Sequence, residues 1–168
     1  MPVLWLKNSK NKSLLPMALK KLQHIEIEDD FKLIGIHCQL DGYKLAFNLN
    51  KFLKISLENF DYKIVIDNVE YTFEMFKHDS ETYNTKIYLF SNKSYGNIPS
   101  FEPNLFETIN SSVYLIDEKK NIDFFLKIEG GGFNYVSMIN KIQGIKMVQS
   151  SYLVNLKSPK SKYNLIFE

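Results

Sequence analysis

Hydrophobic and polar residues alternate through most of this chain with the two-residue period of a β-strand. The clearest run covers 31–40, where Ile34, Ile36, Cys38 and Leu40 share one phase. Comparable runs cover 22–28, 62–66, 69–77, 85–91, 122–129 and 145–155. Several of these runs are separated by only a few polar residues, which favours antiparallel pairing between consecutive strands.

One segment changes to the 3.6-residue period of an amphipathic helix directly after Asp41. It predicts a helix over 42–54 whose apolar stripe consists of Leu45, Ala46, Leu49, Phe52 and Leu53. Asp41 is expected to cap the first turn, because a carboxylate at that position accepts backbone amides that have no partner within the helix.

A glycine run, Gly130-Gly131-Gly132, separates the strand predicted at 122–129 from a second helix. The inward side of this helix is predicted to carry Phe133, Val136, Ile139 and Ile142. Gly144 is expected in the left-handed conformation just past the helix end. Together with the closing strand at 145–155, this order predicts a split β-α-β unit in the C-terminal half.

The fold predicted from these elements is α+β, with a mainly antiparallel β-sheet of about five to seven strands and two amphipathic helices packed on one face. The segment 92–109 holds Gly96, Pro99 and Pro103 and predicts a long loop. Aromatic residues occupy both phases of the strands: Phe124 lies on one phase and Phe125 on the other. Helices on both sides of the sheet, or a dimer partner, would bury both sets.

The chain has the length of a single domain, with 168 residues, and needs neither a disulfide nor a metal to form a core. Residues 1–16 combine a short apolar stretch with a polar, lysine-containing stretch and end at Pro16. They are expected to be a disordered or mis-annotated leader, with one α+β domain over 17–168 that starts at Met17. With one cysteine, no export signal and no apolar run of about 18 residues, we expect a cytoplasmic protein that does not enter a membrane.

All 21 basic residues are lysine, and arginine is absent. Lysine cannot make the planar bidentate contact that reads guanine, so sequence-specific DNA binding is not expected. The lysines concentrate in 1–21 and 156–167, where no acid occurs. Such basic ends are typical of contacts with RNA or the ribosome, and equally of solvated termini.

The glycine turn is the clearest candidate ligand site. Gly130, Gly131 and Gly132 allow a ligand to approach the backbone, the following helix N-terminus offers free amides, and Asn134 is the candidate side-chain contact. No Lys-Ser/Thr pair follows as in a P-loop, and the spacing is not that of a dinucleotide fingerprint. The turn is therefore either an ordinary connection or the ligand site of a small sensing domain of the ACT type.

No other group of residues predicts catalysis, a cofactor or a metal. His37 and Cys38 are adjacent on a strand and face opposite sides, so they cannot act as base and nucleophile in one site. His24 and His78 lack neighbouring ligands for zinc. The acidic run before the first clear strand is typical of a solvated turn; it consists of Glu26, Glu28, Asp29 and Asp30.

The segment 116–124 resembles the signature of the IPExxxVDY family, small proteins of Bacteroidota-type bacteria. Ile116 and Glu118 match, while Asp117 replaces the expected proline. The Val-Asp-Tyr end of the signature is matched by Ile122, Asp123 and Phe124. The resemblance covers about 17–168 and implies no activity, ligand or catalytic residue, so the motif is either architectural or functional.

The leading functional interpretation is a non-enzymatic accessory or interaction protein with a protein partner or a second copy of itself. One alternative is an ACT-like sensor that binds a small molecule at Gly130–Gly132. The other is an RNA- or ribosome-associated protein that uses its lysine-rich ends.

Overall fold

The computed structural model describes residues 31–60, 62–66, 68–96 and 112–167. The predicted leader 1–16, the start at Met17, the strand at 22–28, His24 and the acidic run at 26–30 all lie outside these residues.

The described residues form ten strands, three α-helices and one 3₁₀ turn. In chain order they are β1 (Phe31–Cys38), α1 (Gly42–Leu53), β2 (Glu58–Asn59), β3 (Tyr62–Ile66), β4 (Val69–Phe73), β5 (Met75–Ser80), β6 (Thr85–Ser91), β7 (Lys93–Tyr95), β8 (Ser112–Tyr114), the 3₁₀ turn (Asp117–Lys119), β9 (Phe124–Glu129), α2 (Tyr135–Gln143), β10 (Val148–Leu153) and α3 (Pro159–Tyr163).

The main sheet has six strands in the order β10-β1-β9-β6-β5-β2, and every neighbouring pair is antiparallel. β9 and β10 both pair with β1, and α2 connects them, so the predicted split β-α-β unit is present. The predicted α+β class with a mainly antiparallel sheet is therefore confirmed.

Both predicted helices pack on one face of the sheet. Ile34, Ile36 and Cys38 of β1 meet Leu45, Ala46 and Leu49 of α1 together with Met138 and Ile142 of α2 in one buried cluster. Fully burying an aliphatic side chain contributes about 1.5–3 kcal/mol, so this cluster fixes the register of β1.

The second face explains the aromatic residues of the opposite phase. Phe90 and Phe125 stack there with ring centroids 5.6 Å apart, beneath the β3–β4 hairpin and the C-terminal segment after β10. The chain covers this face with its own hairpin and with the C-terminal segment, which contains α3, and a dimer partner stays a prediction. Leu156, Leu165 and Phe167 belong to this second core.

Two further differences concern local elements. The segment 92–109 begins not as a loop but as β7, and from 97 to 111 the chain lies outside the described residues. The run 69–77 divides at Glu74 into β4 and β5, because β4 pairs with β3 whereas β5 pairs with β6.

The second helix agrees with the prediction at Ile139 and Ile142, which pack on the helix-side core, and differs at Val136. α2 begins at Tyr135, so Phe133 precedes it, and Val136 points outward with 67% of its surface exposed. Gly144 has φ −74° and is right-handed, contrary to the expected left-handed position. Its amide bonds back to Asn140 and Lys141 carbonyls, and the left-handed residue is Met147 instead.

The first helix begins after Asp41 as expected, but Asp41 does not cap it. The Asp41 carboxylate instead binds the Lys44 ammonium at 2.6 Å, and this hydrogen bond lowers the pKa of Asp41. Glu74, between β4 and β5, accepts the amides of Gly42 and Tyr43 at 3.2 Å and 3.1 Å. The cap therefore comes from a residue 32 positions away.

Glu74→Ala is expected to destabilise the fold by about 1 kcal/mol, the usual effect of losing a helix cap. Asp41→Ala is the matched control and should leave the denaturation midpoint unchanged, since its ion pair is exposed. Chemical denaturation of both variants measures this. A larger loss in Asp41→Ala than in Glu74→Ala would contradict the assignment.

Candidate functional site

The glycine turn after β9 is shaped by a close backbone approach. Gly130 has φ +94°, and a Cβ at this position would lie 2.3 Å from the Asn84 carbonyl oxygen. Gly131 and Gly132 have open space, with no atom within 4 Å of an added Cβ. Asn134 is the N-cap of α2, where its side-chain oxygen accepts the Ser137 amide at 2.9 Å. Gly130 and Asn134 therefore both have structural roles, because Gly130 allows the close backbone approach and Asn134 caps α2.

An open groove of about 400 Å³ lies beside this turn, lined by Phe31, Asn84, Lys86, Glu129 and Gly130. Its strand residues are brought together by register, because Glu129 is the cross-strand partner of both Phe31 and Lys86. The sequence pointed to the turn but not to the residues of this groove.

Lys127 lies next to the groove and is buried in the centre of β9, with only 4% of its surface exposed. Its ammonium donates hydrogen bonds to Glu129 and to the Leu165 carbonyl. Three rings surround the Nζ atom at 5.0–5.4 Å; they belong to Phe31, Tyr88 and Phe167. Burial raises the pKa of Tyr88, with the Glu129 charge as a second cause. Lys127 thus ties the C-terminal segment to the central sheet.

The residues of the family-like motif all have structural contacts. Ile116, Ile122 and Phe124 are buried. The carboxylate of Glu118 accepts the amides of Lys157 and Ser158 at 3.4 Å and 3.1 Å, directly before α3. Asp123 accepts the Cys38 amide at 3.1 Å.

Asn92 is fully buried between β6 and β7 and holds the motif segment in place. Its side-chain amide donates to the Lys119 carbonyl at 2.8 Å, and its side-chain oxygen accepts the Ile116 amide at 2.9 Å. Its backbone bonds to Asp123 and Leu115 at 2.8 Å and 2.9 Å. The sequence gave no indication of this role, because the partners are more than 20 residues away.

His37 and Cys38 lie on opposite faces of β1. The Cys38 thiol is in the helix-side core, and burial raises its pKa. On the other face, the His37 Nε2 atom lies 3.0 Å from the Tyr152 hydroxyl, and its Nδ1 atom lies 4.0 Å from Asp123. The last distance exceeds a hydrogen bond, so Asp123 does not orient the imidazole as it would in a catalytic triad.

His78 lines a second open groove of about 390 Å³ near β2, together with Glu58, Lys77 and Asp79. Lys77 and Asp79 form an ion pair at 3.2 Å there. Within the residues that the structure describes, no three His, Cys, Asp or Glu side chains are placed to hold a metal ion.

A surface of alternating lysine and tyrosine lies on β7, β8 and the adjoining 3₁₀ turn. We call Lys93, Tyr95, Tyr114 and Lys120 the Lys–Tyr surface. The Lys93 ammonium lies 4.8 Å from the Tyr95 ring centroid and 5.7 Å from that of Tyr114. Lys120 lies 5.3 Å from the Tyr114 ring. A hydrogen bond to the Tyr95 hydroxyl raises the pKa of Lys93.

Strand alternation explains why these side chains face outward. On β7, Ser94 is buried and donates to the Thr72 carbonyl at 2.6 Å, and its cross-strand partner Val113 packs on the second core. Lys93, Tyr95 and Tyr114 therefore occupy the opposite face. Sequence reasoning missed this surface because β7 was predicted as a loop.

The outer face of α1 carries exposed aromatic residues. Phe47 is 70% exposed, and Tyr43, one turn earlier, is 57% exposed. Lys44, Lys51 and Lys54 are exposed on the same helix or at its end. The sequence contained the signal, since Tyr43 and Phe47 lie off the apolar stripe of the predicted helix.

Comparison with known proteins assigns no identity to the chain. No protein-family model matches it, and no curated protein matches it. Among the described residues, no helix combines the length and apolar character needed to cross a membrane.

Proposed function

We propose that this chain is a non-enzymatic cytoplasmic accessory protein that binds a protein partner through the outer face of α1. The observation that carries the proposal is Phe47, a large aromatic residue that is 70% exposed in the middle of a well-formed helix. Aromatic residues of this kind are enriched among the residues that dominate binding energy in protein interfaces.

The charges around Phe47 favour a partner with an acidic rim. Lys44, Lys51 and Lys54 are exposed on α1 or at its end. The acids at its start are Asp41, which binds Lys44, and Glu74, which accepts the Gly42 and Tyr43 amides. An apolar centre with a basic border is complementary to an apolar pocket bordered by carboxylates.

The chemistry-bearing side chains elsewhere also support a binding role. Lys127, Glu118 and Asp123 are each engaged with backbone groups of distant segments. In the described part of the chain, every buried side-chain nitrogen or oxygen has a hydrogen-bond partner. These groups hold the fold together and are not gathered around a cleft.

We also propose membership of the IPExxxVDY family, on the strength of Ile116, Glu118, Ile122, Asp123 and Phe124. Each of these residues has a core or backbone contact that a shared fold would need to keep. Related sequences that retain the fold but vary freely at these positions would contradict this assignment.

Capture from native lysate on the immobilised chain, followed by binding measurements with the purified partner, tests the α1 interface. Phe47→Glu is expected to weaken binding roughly 30-fold or more, as removal of a central interface residue does. Binding should also weaken as salt is raised, because the lysine border is exposed. Tyr83→Glu is the control, since Tyr83 is equally exposed at a distant turn.

Equal capture by the Phe47→Glu variant and the parent chain would overturn the proposal, as would the absence of any retained protein. Light scattering adds a further outcome. If the parent chain is a dimer and Phe47→Glu dissociates it, the partner bound at α1 is a second copy of this chain and not an acidic protein.

A further inference from the structure

The Lys–Tyr surface is independent of α1 and has a different chemistry. We infer that Lys93, Tyr95, Tyr114 and Lys120 form a binding site for single-stranded nucleic acid. Aromatic rings that alternate with ammonium groups match a strand whose unstacked bases alternate with phosphates.

Tyr95 is the principal stacking ring. It is 59% exposed, so a base can stack on it without displacing a core residue. The Lys93 ammonium, 4.8 Å from that ring, is placed to meet the phosphate of the same nucleotide. Tyr114 is half-buried and has Lys120 at 5.3 Å, which repeats the pairing one step along the surface.

The positive charge continues from this surface to the C-terminal segment. Because Glu118 holds the amides of Lys157 and Ser158, the first turn of α3 lies beside the 3₁₀ turn. The sequence of these two turns carries Lys119, Lys120, Lys157 and Lys160 against Asp117 and Glu118, and Lys120 forms an exposed ion pair with Asp117 at 3.6 Å. The start of the lysine-rich end is thus held beside the turn that carries Lys120.

The chemistry favours single strands over duplexes. Stacking on Tyr95 requires a base that is free of its own neighbours. Lysine contacts phosphate as a point charge and does not read base edges in a bidentate manner, so we expect little sequence preference.

Fluorescence anisotropy with a labelled RNA of about 12 nucleotides measures the interaction; the same sequence as DNA and as an RNA duplex provides the other arms. Single strands are expected to bind more tightly than the duplex, and binding should fall steeply between about 50 and 200 mM salt. Tyr95→Ala should weaken binding roughly tenfold. Lys93→Ala should reduce the slope of log K against log salt by about 0.7, the value for one phosphate contact.

Two control substitutions lie at the start of β6 and in the turn before it. Tyr83→Ala removes a ring that is 76% exposed, and Lys86→Ala removes an exposed lysine. Both should bind like the parent chain. Deleting 156–168 would remove Leu156, Leu165 and Phe167 from the core. The contribution of the C-terminal lysines is therefore tested with the single substitution Lys160→Ala.

Equal affinity for RNA and DNA single strands supports a site for single-stranded nucleic acid in general. Tighter binding of the RNA strand would restrict the proposal to RNA. The inference is overturned if no oligonucleotide binds at low salt, or if the duplex binds more tightly. It is also overturned if Tyr83→Ala and Lys86→Ala weaken binding as much as Tyr95→Ala and Lys93→Ala. Loss of a captured protein in Tyr95→Ala, without loss of nucleic acid, would assign the surface to a protein. Unchanged thermal midpoints confirm that each variant is folded.

Discussion

Lys127→Ala is expected to lower the free energy of unfolding by about 2–5 kcal/mol, the range observed when a large buried side chain is truncated to alanine. The substitution removes the hydrogen bonds to Glu129 and to the Leu165 carbonyl. It also leaves a cavity among the rings of Phe31, Tyr88 and Phe167. Urea denaturation followed by tyrosine fluorescence or circular dichroism gives the value.

Lys127→Met separates the two causes. Methionine keeps the apolar stem among the rings but donates no hydrogen bond, so we expect a loss of about 1–3 kcal/mol. Hydrogen exchange should accelerate first in 163–167, because Leu165 loses its anchor. Lys32→Ala, an exposed lysine of the neighbouring strand β1, is the control. A Lys127→Met variant as stable as the parent chain would show that the ammonium contributes nothing.

The elements that were predicted correctly are those whose hydrophobic pattern repeats over a few consecutive residues. The two-residue period placed β1, β6 and β9, and the 3.6-residue period placed α1, because these signals repeat within a few residues. The split β-α-β unit followed from the order of elements. Val136 was predicted to face inward because Phe133 was counted as helical, although the helix starts after the Asn134 cap.

Long-range hydrogen bonds could not be read from the sequence. Glu74 caps a helix 32 residues away, Asn92 holds a carbonyl 27 residues away, and Lys127 holds one 38 residues away. No spacing rule connects such pairs, since they meet only after the sheet has formed. The same limit applies to the candidate sites: Lys93 and Tyr114 become neighbours through β7–β8 pairing across 97–111.

The two proposed surfaces are compatible because they use different parts of the fold. α1 packs on the helix-side core, whereas the Lys–Tyr surface belongs to β7 and β8, whose inner side faces the second core. A chain that binds a protein on one side and a nucleic acid strand on the other would act as an adaptor. Phe47→Glu and Tyr95→Ala should therefore each weaken one interaction and leave the other unchanged.

Asn92→Ala is expected to destabilise the protein by about 1–3 kcal/mol, because it leaves the buried Ile116 amide without an acceptor. The Lys119 carbonyl loses the Asn92 side-chain donor but keeps the Ile122 amide at 3.0 Å. Both groups belong to the segment that also carries Tyr114 and Lys120. The same substitution should therefore weaken nucleic acid binding at temperatures where the domain remains folded.

Asn140→Ala, an exposed asparagine in α2, serves as the matched control and should change stability by less than about 0.5 kcal/mol. Hydrogen exchange distinguishes a local from a global effect in Asn92→Ala. We expect faster exchange in 112–123 than in β9, because β9 keeps its pairing with β1 and β6. Uniform acceleration across the sheet, or an Asn92→Ala variant as stable as the parent, would show that this asparagine does not hold the motif segment in place.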